Sequence, residues 1–320
     1  MNKVKWGIIS TGTIAHAFAQ DFKFVPNGAL MAVASRNIET AQEFAAEYDI
    51  PKSYATYEEL YADPDIDAVY IATPHNFHFQ NSMDAINAGK SVMCEKPLTV
   101  SPDEAVHLTQ HARKKKVYLM EALWTYFLPS IQKAQEWIAE GRIGEVRQIR
   151  ADFGYPVDYD PLSRMFNPDL AGGSLLDMGI YPVSMAWLFL KKDPIQIKAI
   201  ERKAPTGVDY DMHMTFDYGE EVAILNSSFR SKLFNHLFVI GTEGYVQVPD
   251  FWRASECMLF KSEEQIDHFM ENRESLGYCF ETIAMNEDLL NGKLESEIMP
   301  HAYSLKIQEI IKSVKDAARR

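Results

Sequence analysis

The sequence predicts an α/β protein. A doubly wound parallel sheet comes first, and an α+β region with an open, mostly antiparallel sheet follows. Three observations carry this. Over residues 1–121 short apolar runs alternate with amphipathic helical segments joined by short links. From Gly144 onward runs with period-two alternation and hairpin-like links dominate, such as Asp217-Tyr218-Gly219-Glu220. The first apolar run ends in a turn of small residues, Ser10 to Ala15, that opens a helix. A length of 320 residues is long for one core, so two domains are expected, 1–121 and 122–320.

Taken in order, residues 4–10 read as a buried strand. A helix follows from Thr13, with Ile14, Phe18 and Phe22 at i, i+4, i+8. Residues 30–35 are a second apolar run, and 39–48 a helix whose apolar face is Ala41, Phe44, Ala45 and Tyr48. Residues 67–73 form a third strand, 77–88 a helix ended by Gly89, and 91–94 a further strand. Ser101-Pro102-Asp103-Glu104 opens the next helix, with Ser as N-cap, Pro at N1 and Glu reaching back from N3. Its end, Lys114 to Lys116, places cations at the negative helix terminus. Residues 117–120 close the series, and right-handed crossovers make the sheet parallel. Residues 129–140 then form an amphipathic helix stopped by Gly141. Strands are expected over 145–153, 195–202, 209–216, 221–229, 233–240 and 245–248, interrupted by a helix at 174–190. Helices at 278–291 and 303–317 finish the chain.

Composition narrows the function. With 47% hydrophobic and 24% charged residues the chain is ordinary globular protein. A net charge of −13 lacks the footprint of a nucleic-acid binder and argues against an anionic membrane surface; anionic cofactors need only local donors. Cys94, Cys257 and Cys279 are odd in number and widely spaced, without a CxxC pair. Reduced thiols in a cytoplasmic protein are therefore expected, rather than a disulfide framework or a cysteine zinc site. No apolar leader precedes the first strand, and the apolar stretch 182–190 is too short to span a bilayer. The expected partner is a small molecule.

Several residue groups can carry chemistry. In Gly7 to Ala15, the residues Ser10, Gly12 and Ala15 fill the small positions of a dinucleotide fingerprint. Thr11, Gly12, Thr13 and Ile14 would then set a pyrophosphate on the helix N-terminus; the alternative is a plain strand-to-helix turn. Where an acid would bind the ribose of NAD the chain has Ser35-Arg36. Arg36 can pair with a 2′-phosphate, so NADP(H) is preferred and NAD(H) remains possible, unless Arg36 is only a solvated loop residue. Glu95-Lys96-Pro97 follows a strand directly. A lysine there points into the ligand crevice and can donate to a substrate oxygen, or it lies on the surface; Pro97 is a candidate cis residue. Asp177 and Tyr181 stand four apart, on one face of a helix, and suit a polyol and its proton; a solvated Asp and a half-buried Tyr is the other reading. Pro182 should kink that helix or delay its start. Thr73, Pro74, His75 and His78 follow the third strand, where nicotinamide contacts fit better than a metal, since no third ligand has suitable spacing. Trp124 and Tyr126, at the domain junction, are packing residues or a wall for a sugar. Neither a Ser-His-Asp pattern nor G-x-S-x-G supports serine hydrolase chemistry.

These segments, in this order, resemble the Gfo/Idh/MocA family of NAD(P)-dependent oxidoreductases over essentially the whole chain. Glu95-Lys96-Pro97 is the most specific element. The runs 7–12, 121–125 and 176–181 are most similar to the group of dimeric dihydrodiol dehydrogenases and NADP-dependent D-xylose dehydrogenases. The resemblance implies a Rossmann domain, then an α+β domain whose open sheet serves as a homodimer interface. Lys96 would match the catalytic lysine, Asp177 its acidic partner, His78 a histidine near the nicotinamide and Arg36 a coenzyme-selecting arginine. Tyr181 stands where many relatives carry a catalytic His and the dihydrodiol group a Tyr. Ser10 replaces the usual first Gly, as in that group, and Tyr126 replaces an Arg. Family substrates are mostly sugars, polyols and cyclic diols. The expected reaction is reversible hydride transfer between a carbinol carbon and NADP(H). Lys96, with Tyr181, would exchange the proton of the reacting oxygen, and Asp177 would orient the substrate and tune Lys96. The rivals are a non-catalytic sensor of the same fold and a hydrolase or lyase that uses tightly held NAD transiently.

Overall fold

The computed structural model describes residues 3–319. Its first sheet takes β1 (Val4–Ile9), β2 (Gly28–Ala34), β3 (Lys52–Tyr54), β4 (Ala68–Ile71), β5 (Ser91–Glu95) and β6 (Leu119–Ala122), all parallel, in the order β3-β2-β1-β4-β5-β6. The crossovers contain α1 (Thr13–Asp21), α2 (Ile38–Glu47), α3 (Tyr57–Ala62), α4 (His78–Asn87) and α5 (Pro102–Lys115). Both faces are closed. Ile9, Val69, Ile71, Val92 and Leu119 pack with Leu60, Ile86 and Leu108 of the helices. On the other face Trp6 and Tyr70 meet Phe18, whose ring stacks on Tyr70 at 3.9 Å. Continuous apolar runs in the sequence follow from this double burial.

The second sheet follows α6 (Pro129–Ala139). It comprises β7 (Val146–Gly154), then, after α7 (Ile180–Leu190), β8 (Gln196–Lys203), β9 (Asp209–Asp217), β10 (Val222–Ser228), β11 (Leu237–Gly241), β12 (Tyr245–Val248), β13 (Glu256–Lys261) and β14 (Glu264–Met270). The order is β14-β13-β12-β11-β7-β10-β9-β8, antiparallel except for the β7–β10 pair. One face buries Ile149, Ala151, Met214, Phe216, Ala223, Leu225, Val239 and Val246. Helices α8 (Tyr278–Leu290) and α9 (His301–Ala318) complete the chain.

The domains are not the contiguous 1–121 and 122–320 expected. The first compact unit runs to Trp124 and takes back Glu274–Leu305; the second holds Thr125–Arg273 and the chain from Lys306. Specific bonds explain the return. The indole of Trp6 donates to Asn286 at 2.8 Å, Tyr118 donates to Asp288 at 2.9 Å, and the Asp21 carboxylate accepts the N–H groups of Leu276, Gly277 and Cys279 ahead of and within the first turn of α8.

Other differences are local. Strands β3, β13 and β14 and helix α3 were not anticipated. Ser101 and Pro102 occupy N-cap and N1 of α5 as expected, but the Ser101 side chain makes no capping bond. The expected helix at 174–190 begins with a π-helical turn (Leu175–Gly179) before α7, which is how the late start ahead of Pro182 is realised. Pro168–Leu190 is long and apolar enough to cross a membrane, longer than the 182–190 stretch singled out, yet 83% of its apolar window is buried within the fold.

Candidate active site

The strands of the first sheet end in one line. Ala34, Ile9, Ile71, Cys94 and Glu121 are successive in-register partners across β2, β1, β4, β5 and β6. Whatever follows each of them is therefore delivered to one edge: Ser35-Arg36, Ser10, Ala72-Thr73 and Glu95-Lys96. The chain order reverses between β1 and β4, the switch point outside which ligands bind in such sheets.

The turn after β1 leaves backbone donors open. Ser10 has φ 93, a left-handed conformation that costs a non-glycine residue about 1–3 kcal/mol. The Gly12 N–H donates to Ser10 Oγ at 3.3 Å, which steadies it. Gly12 caps α1 without any side-chain acceptor for the first helical N–H groups. A Cβ on Gly12 would meet only Ser10 Oγ, at 3.6 Å, so the backbone is open to close approach. Uncapped amides at Thr13 and Ile14, an open Gly12 and the exposed Arg36 fit the diphosphate and 2′-phosphate of a dinucleotide. Ser35 is half-buried and its hydroxyl lies 2.9 Å from that of Thr40.

Glu95-Lys96-Pro97 leaves β5 with a cis Lys96–Pro97 peptide bond. Glu95 is buried and accepts from the Tyr70 hydroxyl. Lys96 is half-buried. Glu121 accepts the Leu98 N–H at 2.8 Å; burial pushes its carboxyl up, opposed by hydrogen bonding and by the charge of Lys96. His78 corrects an expectation. It is fully buried, with Nδ1 2.7 Å from the Pro97 carbonyl and Nε2 2.8 Å from the Thr73 carbonyl, so it ties two loops together and presents no ring nitrogen to a ligand. Thr73 accepts from Asn81 at 3.0 Å, and Pro74 and His75 open the short turn after it. Trp124 is 4% exposed and stacks on Tyr278 at 4.3 Å, a packing role.

The second unit carries the other candidates. Asp177 lies in the π turn and Tyr181 in the first turn of α7, so they are not on one regular helical face as the spacing suggested. Asp177 Oδ1 accepts from Arg164 Nη1 at 3.0 Å. The Tyr181 ring meets the edge of Phe153 at 5.3 Å, and Phe153 stacks on Trp252 at 4.9 Å. Tyr126 is not a wall for a sugar. It is 1% exposed and donates to the Ser184 carbonyl at 2.7 Å, a core bond. Sequence reasoning missed Arg164, Phe153, Trp252 and Asp209. Arg164 sits in an irregular loop with no motif, and the others read as ordinary strand or loop residues. Among the described residues no group of three or more His, Cys, Asp or Glu is placed to hold a metal ion.

A parallel sheet whose first turn leaves helix N-terminal amides open, with a lysine at a neighbouring strand end, suits a dinucleotide-dependent enzyme. Comparison with known proteins agrees. The oxidoreductase family model for the NAD-binding Rossmann fold of Gfo/Idh/MocA proteins matches residues 4–123, and the corresponding C-terminal domain model matches 131–247. The chain is 34% identical to the mouse (Mus musculus) trans-1,2-dihydrobenzene-1,2-diol dehydrogenase over 98% of this chain and 96% of that one. The structure of a 3-ketoreductase from Actinomadura kijaniata, with NADP and TDP-benzene, superposes with TM-score 0.89 at 24% identity, covering 99% of this chain and 98% of that one. A levoglucosan dehydrogenase with NADH and levoglucosan gives 0.89 at 20%, with the same coverage. The chain belongs to the Gfo/Idh/MocA family, and it is an NAD(P)-dependent oxidoreductase acting on CH–OH groups.

Proposed function

We propose that the enzyme interconverts a CH–OH and a C=O carbon of a sugar, polyol or cyclic diol, with NADP(H) preferred over NAD(H). The observation that carries the reading is the strand-end line, which sets Lys96 on the same edge as the Gly12 turn and Arg36. The substrate class is supported by the relatives' diol substrates and the neighbour's levoglucosan. Arg36 supports the coenzyme preference, because a guanidinium pairs with a phosphate in two parallel bonds.

The bound coenzyme supplies the hydride acceptor or donor. The amides of Thr13 and Ile14 hold the pyrophosphate, and Arg36 the 2′-phosphate. Lys96 donates to the reacting oxygen and exchanges its proton. Asp177, an acceptor kept in place by Arg164, binds substrate hydroxyls, and Tyr181 shares the proton. We further propose a homodimer through the second sheet, whose outward face presents Phe238, Tyr245, Phe260 and Ile200; the Tyr245 and Phe260 rings stack at 4.7 Å. The partner is a small molecule rather than nucleic acid or a membrane. Three buried cysteines, none of them in a disulfide, fit the cytoplasm.

The test is nicotinamide absorbance with purified protein and NADP or NAD in turn, against aldoses, inositols and trans-dihydrodiols. Turnover with NADP and a pentose or diol is the expected result. Coenzyme binding with no turnover on any substrate would overturn it in favour of a sensor.

A further inference from the structure

The segment bearing Asp177 and Tyr181 opens without a local cap. Ser174, at its N-cap, makes no capping bond with its own helix. Its hydroxyl donates instead to Asp209 Oδ2 at 2.8 Å and lies 3.0 Å from Ser227 Oγ. The same Asp209 oxygen accepts the Leu175 N–H at 2.6 Å. Asp209 is the first residue of β9, 34 positions beyond Leu175, so the cap comes from the sheet.

The fit leaves little slack. Asp209 is 8% exposed, and Ser174 and Ser227 are fully buried. Gly173 has φ 121, and a Cβ there would stand 2.3 Å from Asp209 Oδ1, so no side chain fits between loop and carboxylate. At the far end of the turn a Cβ on Gly179 would lie 3.0 Å from Ser227 Oγ. Strands β9 and β10 thus clamp the π turn at both ends. Burial pushes the Asp209 carboxyl up, while the Leu175 N–H, the Ser174 hydroxyl and the Lys315 ammonium of α9 oppose it. A carboxylate buried at this depth is retained where it has an acceptor's task.

We propose that Asp209 is a positioning residue for the reaction: by accepting from Ser174 and Leu175 it sets the register of the turn, and so the direction in which Asp177 and Tyr181 are presented. This rests on the oxidoreductase reading above. Asp209 touches neither substrate nor coenzyme. Small misplacements of reacting groups cost about a hundredfold in rate, which gives such a clamp its leverage.

The test compares Asp209→Ala, Asp209→Asn and Ser174→Ala. Both donors use one oxygen, so Asn keeps the acceptor and Ala removes it. Asp209→Ala should lower kcat about 10- to 100-fold with the KM for NADP(H) within about twofold, and Asp209→Asn should restore kcat to within about threefold of wild type. Asp209→Ala at wild-type kcat, or Asn as damaging as Ala in a folded protein, would overturn the proposal. If Asp209→Ala does not fold, Ser174→Ala decides: a drop of about threefold or more in kcat at unchanged coenzyme KM supports the clamp, and an unchanged kcat overturns it. A wild-type chain silent on the whole substrate panel fails the parent reading instead. Amide exchange then decides: protection of Leu175 weakened in Ser174→Ala and kept in Asp209→Asn supports the clamp, and unchanged protection in Ser174→Ala overturns it.

Discussion

The two sheets bury themselves differently. Every residue of β4, Ala68–Ile71, is buried, whereas β8 exposes Gln196, Lys198, Ile200 and Arg202 and half-buries the residues between them. Right-handed crossovers cover both faces of a parallel sheet, while a meander of antiparallel strands needs cover on only one. The candidate sites follow the burial. In the first unit both faces are closed, so candidate residues emerge at strand ends. In the second they ride on a helical segment laid against the single buried face, where the strands beneath hold the segment through Asp209.

This contrast can be broken by mutation. Ile8→Ala and Ile9→Ala, adjacent and both fully buried in β1, should each cost about 2–5 kcal/mol in urea unfolding. In β10, Leu225→Ala should cost as much, while its half-buried neighbour Ile224→Ala should cost under about 1 kcal/mol at protein concentrations that keep the chain monomeric and more where the proposed dimer forms. An Ile224 cost that does not change with protein concentration would remove this sheet face as the dimer interface.

The next effects separate the units by kinetics. Lys96→Met should lower kcat by roughly two orders of magnitude or more and leave NADPH binding, read by fluorescence, intact. Asp177→Asn should lower kcat/KM for substrate about tenfold at unchanged coenzyme KM, the loss of one charge-assisted bond. A coenzyme KM that rises in Asp177→Asn would erase this division of labour. Arg36→Asp should raise the KM for NADP about tenfold and leave that for NAD within about twofold; equal changes for both would remove Arg36 as the selector.

The smallest effect concerns the margin of the first sheet. Burial pushes the Asp63 carboxyl up, but the Lys52 ammonium, the Asp65 N–H and the Tyr54 hydroxyl outweigh it and hold it at about 2. A carboxyl lowered on folding contributes stability that is present above its unfolded value, about 3.9, and is lost as pH falls through the folded value. Asp63→Asn should therefore cost about 1 kcal/mol at neutral pH and flatten the fall in stability between about pH 4 and pH 2, followed by thermal melting. An unaltered acid limb would remove Asp63 from that role.

Much of the first unit was legible because its signals are local. Buried strands, amphipathic helices and the Ser10–Gly12 turn each declare themselves within a few residues, and Glu95-Lys96-Pro97 follows its strand directly. The edge strands β3 and β14 were not. β3 has three half-buried residues, and β14 exposes most of its length, so neither carries a strong apolar pattern. The disturbance ahead of Pro182 was legible but its π form was not, since the bonds that Asp209 accepts from Ser174 and Leu175 come from a strand distant in the chain.

The sequence alone determined the kind of each sheet, the candidate coenzyme turn and the candidacy of Lys96, Arg36, Asp177 and Tyr181, because these depend on residue type and short-range periodicity. Tertiary structure alone decided that residues 274–305 rejoin the first unit, that His78 and Tyr126 spend their polar atoms on backbone carbonyls, and that Asp209 and Arg164 attend the Asp177 segment. Each of those outcomes is a hydrogen bond between residues distant in the chain, or a buried side chain whose partner no local pattern names.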